Sequence, residues 1–219
     1  MAPGERFTDR RDAGRRLGVA LRSHHLTTPV VLGLPRGGVP VADEVARALG
    51  APLDVLVVRK VGVPWQPEVA MGAVGERGAV IWNADVRAHT RISDAELRTL
   101  ERRERAEVDA RVARFRAGRA PRTIEGNTAV VVDDGVATGA TARVACAMAR
   151  ELGAARVVLA TPVAPPDVVD DFREADEIVC LAAPPGFMAV GLHYVDFTQV
   201  SDEQVVDILR AAPHSDAEV

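Results

Sequence analysis

The stretch VVVDDGVATGATA, residues 130–142, decides the fold of this chain and indicates its chemistry. Its β-branched residues predict a buried strand at 128–132, and two carboxylates, Asp133 and Asp134, follow at the carboxyl end of that strand. Small residues come next, and the pattern from 139 to 152 is typical of a helix. Backbone N–H groups at a helix N-terminus attract phosphate, and glycine lets the backbone approach a ligand closely. The arrangement therefore predicts a site for a phosphorylated sugar, with the acidic pair on neighbouring hydroxyls or on a cation carried by the ligand.

Other interpretations of this loop fit it less well. A P-loop requires Gly-x-x-x-x-Gly-Lys-Ser/Thr, and the loop contains no lysine. A phosphatase with an aspartyl nucleophile resembles Asp-x-Asp-Gly, but position 132 is Val132. A turn whose aspartates only cap a helix explains one carboxylate, yet it leaves the hydroxyls of Thr138 and Thr141 without a purpose.

The composition is that of one soluble domain, 1–219, with loose ends at about 1–6 and 212–219. The 219 residues are 47% hydrophobic and carry a net charge of −4, which argues against a nucleic-acid partner. Arginines cluster at 10–16 and 98–122 among acidic residues, and we expect the first cluster to be a solvated helix face.

Neither a membrane nor a secreted location is predicted. The amino terminus lacks the apolar core of a signal peptide, and no run approaches the ~18 apolar residues of a membrane span. Cys146 and Cys180 are solitary residues in apolar segments, which indicates packed thiols in a reducing cytoplasm.

Buried strands alternate with helices along the chain, which predicts an α/β fold. We expect a mainly parallel, twisted sheet with helices on both faces, plus an inserted hairpin and a long helix. Ligands bind such sheets beyond the carboxyl ends of the strands. Strands are predicted at 30–34, 53–59, 128–132, 155–160 and 177–182, a loop at 61–67, a hairpin at 71–81, and helices at 8–22, 39–49, 94–116, 139–152 and 201–209. Ser93 and Glu96 predict a capping box at the start of the helix at 94–116.

Basic and glycine residues stand at two other predicted strand ends. In the tight turn Pro-Arg-Gly-Gly, Gly37 and Gly38 leave backbone N–H groups unobstructed, and Arg36 offers a guanidinium fork for phosphate. Arg59 and Lys60 are expected to leave the next strand end in the same direction. Lys60 is the sole lysine of the chain, which fits either a chemical requirement for a compact ammonium or chance.

The segment DDGVATGAT resembles the phosphoribosyl-pyrophosphate (PRPP) signature of type I phosphoribosyltransferases. From about Phe7 to Leu209 the chain also resembles a bacterial branch of this family whose acceptor is unassigned. The stretches that carry this second resemblance are LPRGGVP (34–40), RKVG (59–62), EVAMGA (68–73) and YVDF (194–197).

The resemblance implies a role for each motif. Asp133 and Asp134 would bind the ribose 2- and 3-hydroxyls, and one of them would take a proton from the acceptor. The Pro-Arg-Gly-Gly turn would be the pyrophosphate loop, often built on a cis peptide, and at least one of Arg59 and Lys60 would reach pyrophosphate. The residues that would wrap the 5-phosphate are Gly135, Val136, Ala137, Thr138, Gly139, Ala140 and Thr141.

Mg²⁺ is the implied cofactor, and it would arrive with PRPP, close to the two aspartates but without a direct protein ligand. The resemblance also implies a hood over the acceptor, at about 183–200. Its aromatic candidates are Phe187, His193 and Tyr194, all of which fit a place in the core equally well.

The predicted function is Mg²⁺-dependent, cytoplasmic phosphoribosyl transfer, a pentosyl transfer of nucleotide metabolism. A nucleobase or other small nucleophile would accept the group from PRPP, and pyrophosphate would leave. The alternative is a non-catalytic protein that senses PRPP or a nucleotide on the same fold. An intact turn at Arg36 favours catalysis, and the long helix and hairpin are candidate homodimer contacts.

Overall fold

The computed structural model describes residues 6–83, 86, 89, 90 and 92–212, so the ends at 1–5 and 213–219 lie outside it. A five-stranded sheet and a three-stranded sheet form its framework. The helices and strands, in chain order, are α1 (Arg10–Leu21), β1 (Pro29–Gly33), α2 (Gly38–Leu49), β2 (Leu53–Val55), β3 (Arg59–Val63), β4 (Gln66–Val74), β5 (Val80–Trp82), α3 (Asp94–Arg116), β6 (Thr128–Val132), α4 (Ala140–Glu151), β7 (Arg156–Val163), α5 (Pro166–Asp170), β8 (Glu177–Ala182) and α6 (Asp202–Ala211). Single 3₁₀ turns occur at Glu76–Gly78 and Val190–His193.

The larger sheet has the strand order β2-β1-β6-β7-β8, and each neighbouring pair in it is parallel. This confirms the predicted α/β fold. Gly33, the last residue of β1, is in register with Val132, the last residue of β6. The turn after β1 and the acidic pair after β6 consequently leave the sheet side by side.

Alternation along β6 explains why helices cover both faces of this sheet. All five residues of β6 are buried. Val130 and Val132 pack into a cluster with apolar residues of α1, α2 and α6. Ala129 and Val131 pack into a second cluster with residues of α4. Successive side chains of a strand point to opposite faces, so an uninterrupted apolar run is what a doubly covered strand requires.

The smaller sheet corrects one sequence prediction. The strand expected at 53–59 ends at Val55, and β3 begins at Arg59 in an antiparallel sheet with β4 and β5. Most of the loop expected at 61–67 is therefore strand. The apolar run through this region hid the break, because periodicity alone cannot show where a buried segment changes sheets.

The hairpin of β4 and β5 and the long helix α3 agree with the prediction, including the capping box of Ser93 and Glu96 at the start of α3. A buried ion network joins this insertion to β2. At the end of α3, Arg116 bonds Asp54 through Nε and Oδ1 (3.0 Å) and Glu76 through Nη1 and Oε2 (2.6 Å). Burial raises the pKa of Glu76, and the charge of Arg116 opposes that rise.

None of the helices in the described part of the chain is long and apolar enough to cross a membrane.

Candidate functional site

The turn after β1 packs directly against the acidic pair after β6. The N–H of Leu34 donates to the carbonyl oxygen of Val132 (2.9 Å), and the peptide bond between Pro35 and Arg36 is cis. A Cβ added at Gly37 would lie 2.0 Å from Oδ2 of Asp134. One added at Gly38 would lie 2.5 Å from the carbonyl oxygen of Val132. A side chain at either position would clash with the acidic segment, so both positions require glycine.

The two carboxylates are half-buried at the edge of the sheet. Oδ1 of Asp133 accepts the backbone N–H of Asp134 (2.9 Å), while Oδ2 of Asp134 accepts Nε of Arg10 (2.7 Å). Burial raises the pKa of Asp133 well above its usual range, and the neighbouring carboxylate of Asp134 adds to the shift. Burial also raises the pKa of Asp134, although the charge of Arg10 opposes this.

Arg10 is a site residue that the sequence analysis missed. Its side chain is only 11% exposed, so the expectation of a solvated face at 10–16 is wrong at this position. Its partner Asp134 lies 124 residues further along the chain. No local pattern marks such a pairing, because a helix surface reveals neighbours three or four residues apart and no others.

The loop from Gly135 to Thr141 places the start of α4 at the carboxyl end of the parallel strands. Its backbone is anchored at Val136, whose side chain is buried and whose N–H donates to the carbonyl oxygen of Val163 (2.9 Å). Gly139 has a φ of 77°, a conformation that favours glycine, and Ala140 begins the helix. The side chains of Ala137, Thr138 and Thr141 are exposed.

The first N–H groups of α4 therefore lie next to exposed hydroxyls. The first four N–H groups of a helix have no acceptor within the helix. Here that of Ala140 donates to Oγ1 of Thr138 at 3.4 Å. Such an end suits an anion such as phosphate.

Tyr194 does not face open space as an acceptor-side residue should. It is 2% exposed, and its ring packs 5.4 Å from that of Phe7 and 5.0 Å from that of Phe197. Its hydroxyl donates to the backbone carbonyl oxygen of Asp134 (2.5 Å). Burial raises the pKa of Tyr194, which keeps this hydroxyl protonated as a donor. Tyr194 therefore stabilises the backbone of the acidic pair through this hydrogen bond.

The other two hood residues lie together. The rings of Phe187 and His193 stack with centroids 5.4 Å apart and planes 12° apart, and both are half-buried. Burial lowers the pKa of His193. Three strongly exposed apolar side chains occur in the same segment: Met188, Leu192 and Val195.

The three basic residues expected around a leaving group have different surroundings in the structure. Arg36 is 41% exposed on the turn that touches the acidic pair, with Nη1 3.6 Å from Oδ1 of Asp202. Nε of Arg59 instead donates to Oε2 of Glu104 (2.6 Å) on α3. Lys60 lies within β3, half-buried and in register with Ala73.

The prediction that Arg59 and Lys60 project in the same direction from a strand end is wrong. They are successive residues of one strand, so their side chains point to opposite faces.

A magnesium ion fits this site only with ligands from a bound molecule. Carboxylate oxygens suit the ion, but Oδ2 of Asp134 is held by Arg10. Within the described ranges, no group of three or more His, Cys, Asp or Glu residues could hold a metal. The acidic pair can therefore contribute to binding a cation that arrives with a substrate.

Comparisons with known proteins identify relatives of this chain. The family model of the phosphoribosyl transferase domain matches residues 8–180. Proteins of two Mycobacterium tuberculosis strains, CDC 1551 / Oshkosh and H37Rv, each named "Putative phosphoribosyl transferase", are 54% identical over 213 residues. These residues make up 97% of this chain and 48% of each relative, so the chain spans about half the length of the curated relatives it matches.

Solved structures also resemble this chain over most of its length. A crystal structure of a Thermus thermophilus protein has a TM-score of 0.86 and 46% identity, covering 93% of this chain and 97% of that one. A hypothetical protein from Neisseria gonorrhoeae, solved with bound ppGpp, has a TM-score of 0.50 and 10% identity over 94% of this chain and 96% of its own. The second likeness is one of fold alone.

Proposed function

Because the chain belongs to the phosphoribosyltransferase family, a family of transferase enzymes, we propose that it transfers the 5-phosphoribosyl group of PRPP to a small nucleophile and releases pyrophosphate. One observation carries the proposal. The Pro-Arg-Gly-Gly turn, the acidic pair and the N-terminus of α4 meet at one edge of the sheet, with Gly37 packed against Asp134. These groups match the pyrophosphate, the diol and the 5-phosphate of a single donor.

The two ends of the donor need opposite surroundings. Cleavage of the bond from C1 to oxygen sends its electron pair to pyrophosphate and leaves positive charge on the ribose. Backbone N–H groups of Gly37 and Gly38 and the guanidinium of Arg36 would stabilise the leaving oxygens. The carboxylates of Asp133 and Asp134 would hold the diol and favour the cationic sugar. Mg²⁺, bound with the donor, would neutralise charge on pyrophosphate.

The acceptor loses a proton as its nitrogen or oxygen bonds to C1, and a carboxylate would receive it. We assign this role to Asp133. Burial raises the pKa of Asp133 well above its usual range, and the charge of Asp134 adds to the shift, which makes Asp133 a stronger base. Lys60 would contact pyrophosphate from β3. Arg59 would do so only after its ion pair with Glu104 breaks.

The acceptor is proposed to bind under the hood, 183–200, against the stacked rings of Phe187 and His193. A nucleobase or another planar small molecule suits that surface, because stacked rings offer a flat apolar face. Tyr194 is reassigned to support of the acidic pair, since its ring is buried.

We also propose that the chain acts as one domain in the cytoplasm and forms a homodimer. The two cysteines are free thiols, which supports a reducing compartment. Trp65, at the turn between β3 and β4, is 67% exposed beside α3, which supports contacts through the insertion.

A PRPP sensor without catalysis is the second candidate function. The observation that favours it is the pairing of Arg59 with Glu104, which removes one cation from the expected leaving-group site. A catalyst and a sensor differ in turnover, while both would bind the donor.

The test is incubation with PRPP, Mg²⁺ and a panel of nucleobases and other small nucleophiles, with acceptor-dependent pyrophosphate as the readout. We expect the double variant Asp133→Asn/Asp134→Asn to lose at least a thousandfold in rate. Asp109→Asn, an exposed change on α3, should keep full activity. Release by the double variant within tenfold of the unaltered chain would refute the assignment. Tight donor binding with no turnover on any acceptor would favour the sensor.

A further inference from the structure

The side chain of Arg10 joins the acidic pair to the hood. Its Nε donates to Oδ2 of Asp134 (2.7 Å), and its Nη1 donates to the carbonyl oxygen of Thr198 (2.7 Å). The guanidinium carbon lies 3.9 Å from the centroid of the Phe197 ring. Asp9 caps α1 by accepting the N–H of Asp12 (2.7 Å), so the start of the helix that carries Arg10 is fixed.

This arrangement offsets an electrostatic cost of placing two carboxylates side by side. Two adjacent, half-buried carboxylates repel each other and lose hydration, which is unfavourable unless a cation is near. Arg10 supplies that charge at Asp134. In the proposed function, however, the ribosyl hydroxyls need the same carboxylate oxygens. The donor and Arg10 thus compete for Oδ2.

The surroundings allow Arg10 to move. An open cavity of about 360 Å³ lies beside it, and three carboxylates of its lining, Asp9, Asp196 and Asp207, can receive a displaced guanidinium. The bond to Thr198 is exposed to solvent, so water can replace it at little cost.

We propose that Arg10 is the exchangeable counter-ion of the acidic pair. It neutralises Asp134 while the site is empty, keeps free divalent cations from occupying the pair, and yields Oδ2 when the donor binds with its own cation. Arg10 is a positioning residue, because it acts through Asp134. The role in donor binding rests on the proposed function, whereas the exclusion of free cations does not.

The test measures Mn²⁺ binding to the full chain without PRPP, by electron paramagnetic resonance. Arg10→Met keeps an unbranched apolar side chain that can pack on the ring of Phe197, but it removes the charge. We expect it to bind Mn²⁺ at least tenfold more tightly than the unaltered chain, since an unpaired carboxylate pair attracts a hard cation. Arg10→Lys should bind as weakly as the unaltered chain. Arg15→Met, on the exposed face of the same helix, is the matched control.

Two results would overturn the proposal. One is equal Mn²⁺ affinity, within twofold, for Arg10→Met and the unaltered chain. The other is tight Mn²⁺ binding that persists in Arg10→Met/Asp134→Asn, because the cation would then lie elsewhere. Arg10→Gln, which keeps a donor for Thr198, answers the same question if the Met variant fails to fold. Because PRPP is absent, failure here is distinguishable from failure of the proposed function, which a separate titration with PRPP and Mg²⁺ decides.

Discussion

The substitution Gly37→Ala tests the packing of the turn on the acidic pair. Gly37 has φ −62° and ψ −34°, a conformation that alanine adopts readily, so any effect must come from the added methyl group. That methyl would lie 2.0 Å from Oδ2 and 2.6 Å from Cγ of Asp134. Since nonbonded carbon contacts are about 3.5–4.0 Å, the carboxylate has to move by about 1 Å or more.

The magnitude follows from that displacement. A displacement of about 1 Å breaks the hydrogen bond of this carboxylate to the ribosyl diol, and a hydrogen bond to a charged group contributes about 1.5–3 kcal/mol, of which about 2.7 kcal/mol corresponds to 100-fold in affinity. We therefore expect the affinity for PRPP with Mg²⁺ to fall about 100-fold in calorimetric titration. The same move separates Asp134 from Arg10, so overpacking should lower the free energy of unfolding by about 1–3 kcal/mol in urea.

Gly50→Ala serves as the control for Gly37→Ala. Gly50 ends α2 at φ 61° with no other atom near an added Cβ, so alanine there should cost about 1 kcal/mol of stability and leave the affinity unchanged. Donor affinity of Gly37→Ala within threefold of the unaltered chain would refute the reasoning.

Three other substitutions or modifications probe the rest of the structure. Arg116→Met should lower the free energy of unfolding in urea by about 3–5 kcal/mol, because it leaves buried carboxylates unpaired. The loss should be smaller at pH 5 than at pH 7, since burial raises the pKa of Glu76 and protonation removes its charge; an equal loss at both pH values would contradict this. Tyr194→Phe removes the donor to the Asp134 carbonyl and should cost about 1 kcal/mol in thermal unfolding, and an unchanged melting temperature would count against that bond. Burial raises the pKa of Cys146 to about 12, so iodoacetamide at pH 8 should label it only after unfolding; rapid labelling of the native chain would show that the thiol is accessible.

Local sequence predicted the features that depend on local structure. The strand at 128–132, the acidic pair after it and the helix from Ala140 follow from one continuous segment, and the structure has all three. The capping box of α3 was likewise visible as Ser93 followed by Glu96. Strand alternation and helix capping act over a few residues, which is why the sequence predicts them.

Features that depend on distant parts of the chain were not predictable in this way. The arginines at 10–16 look alike in sequence, and what distinguishes Arg10 is the position of Asp134 in space. From sequence alone Tyr194 fitted the acceptor side or the core equally well, and its burial depends on packing against Phe7, at the other end of the chain. The place of Lys60 depends on a change of sheet that an apolar run does not reveal.

A crystal structure of the full chain with PRPP and Mg²⁺ tests the central claim most directly. The account predicts ribosyl hydroxyls within hydrogen-bond distance of Asp133 and Asp134, the 5-phosphate on the N–H groups that open α4, and Arg10 turned away from Oδ2. Ribose bound elsewhere, or an unbroken pair of Arg10 and Asp134 beside bound PRPP, would contradict it.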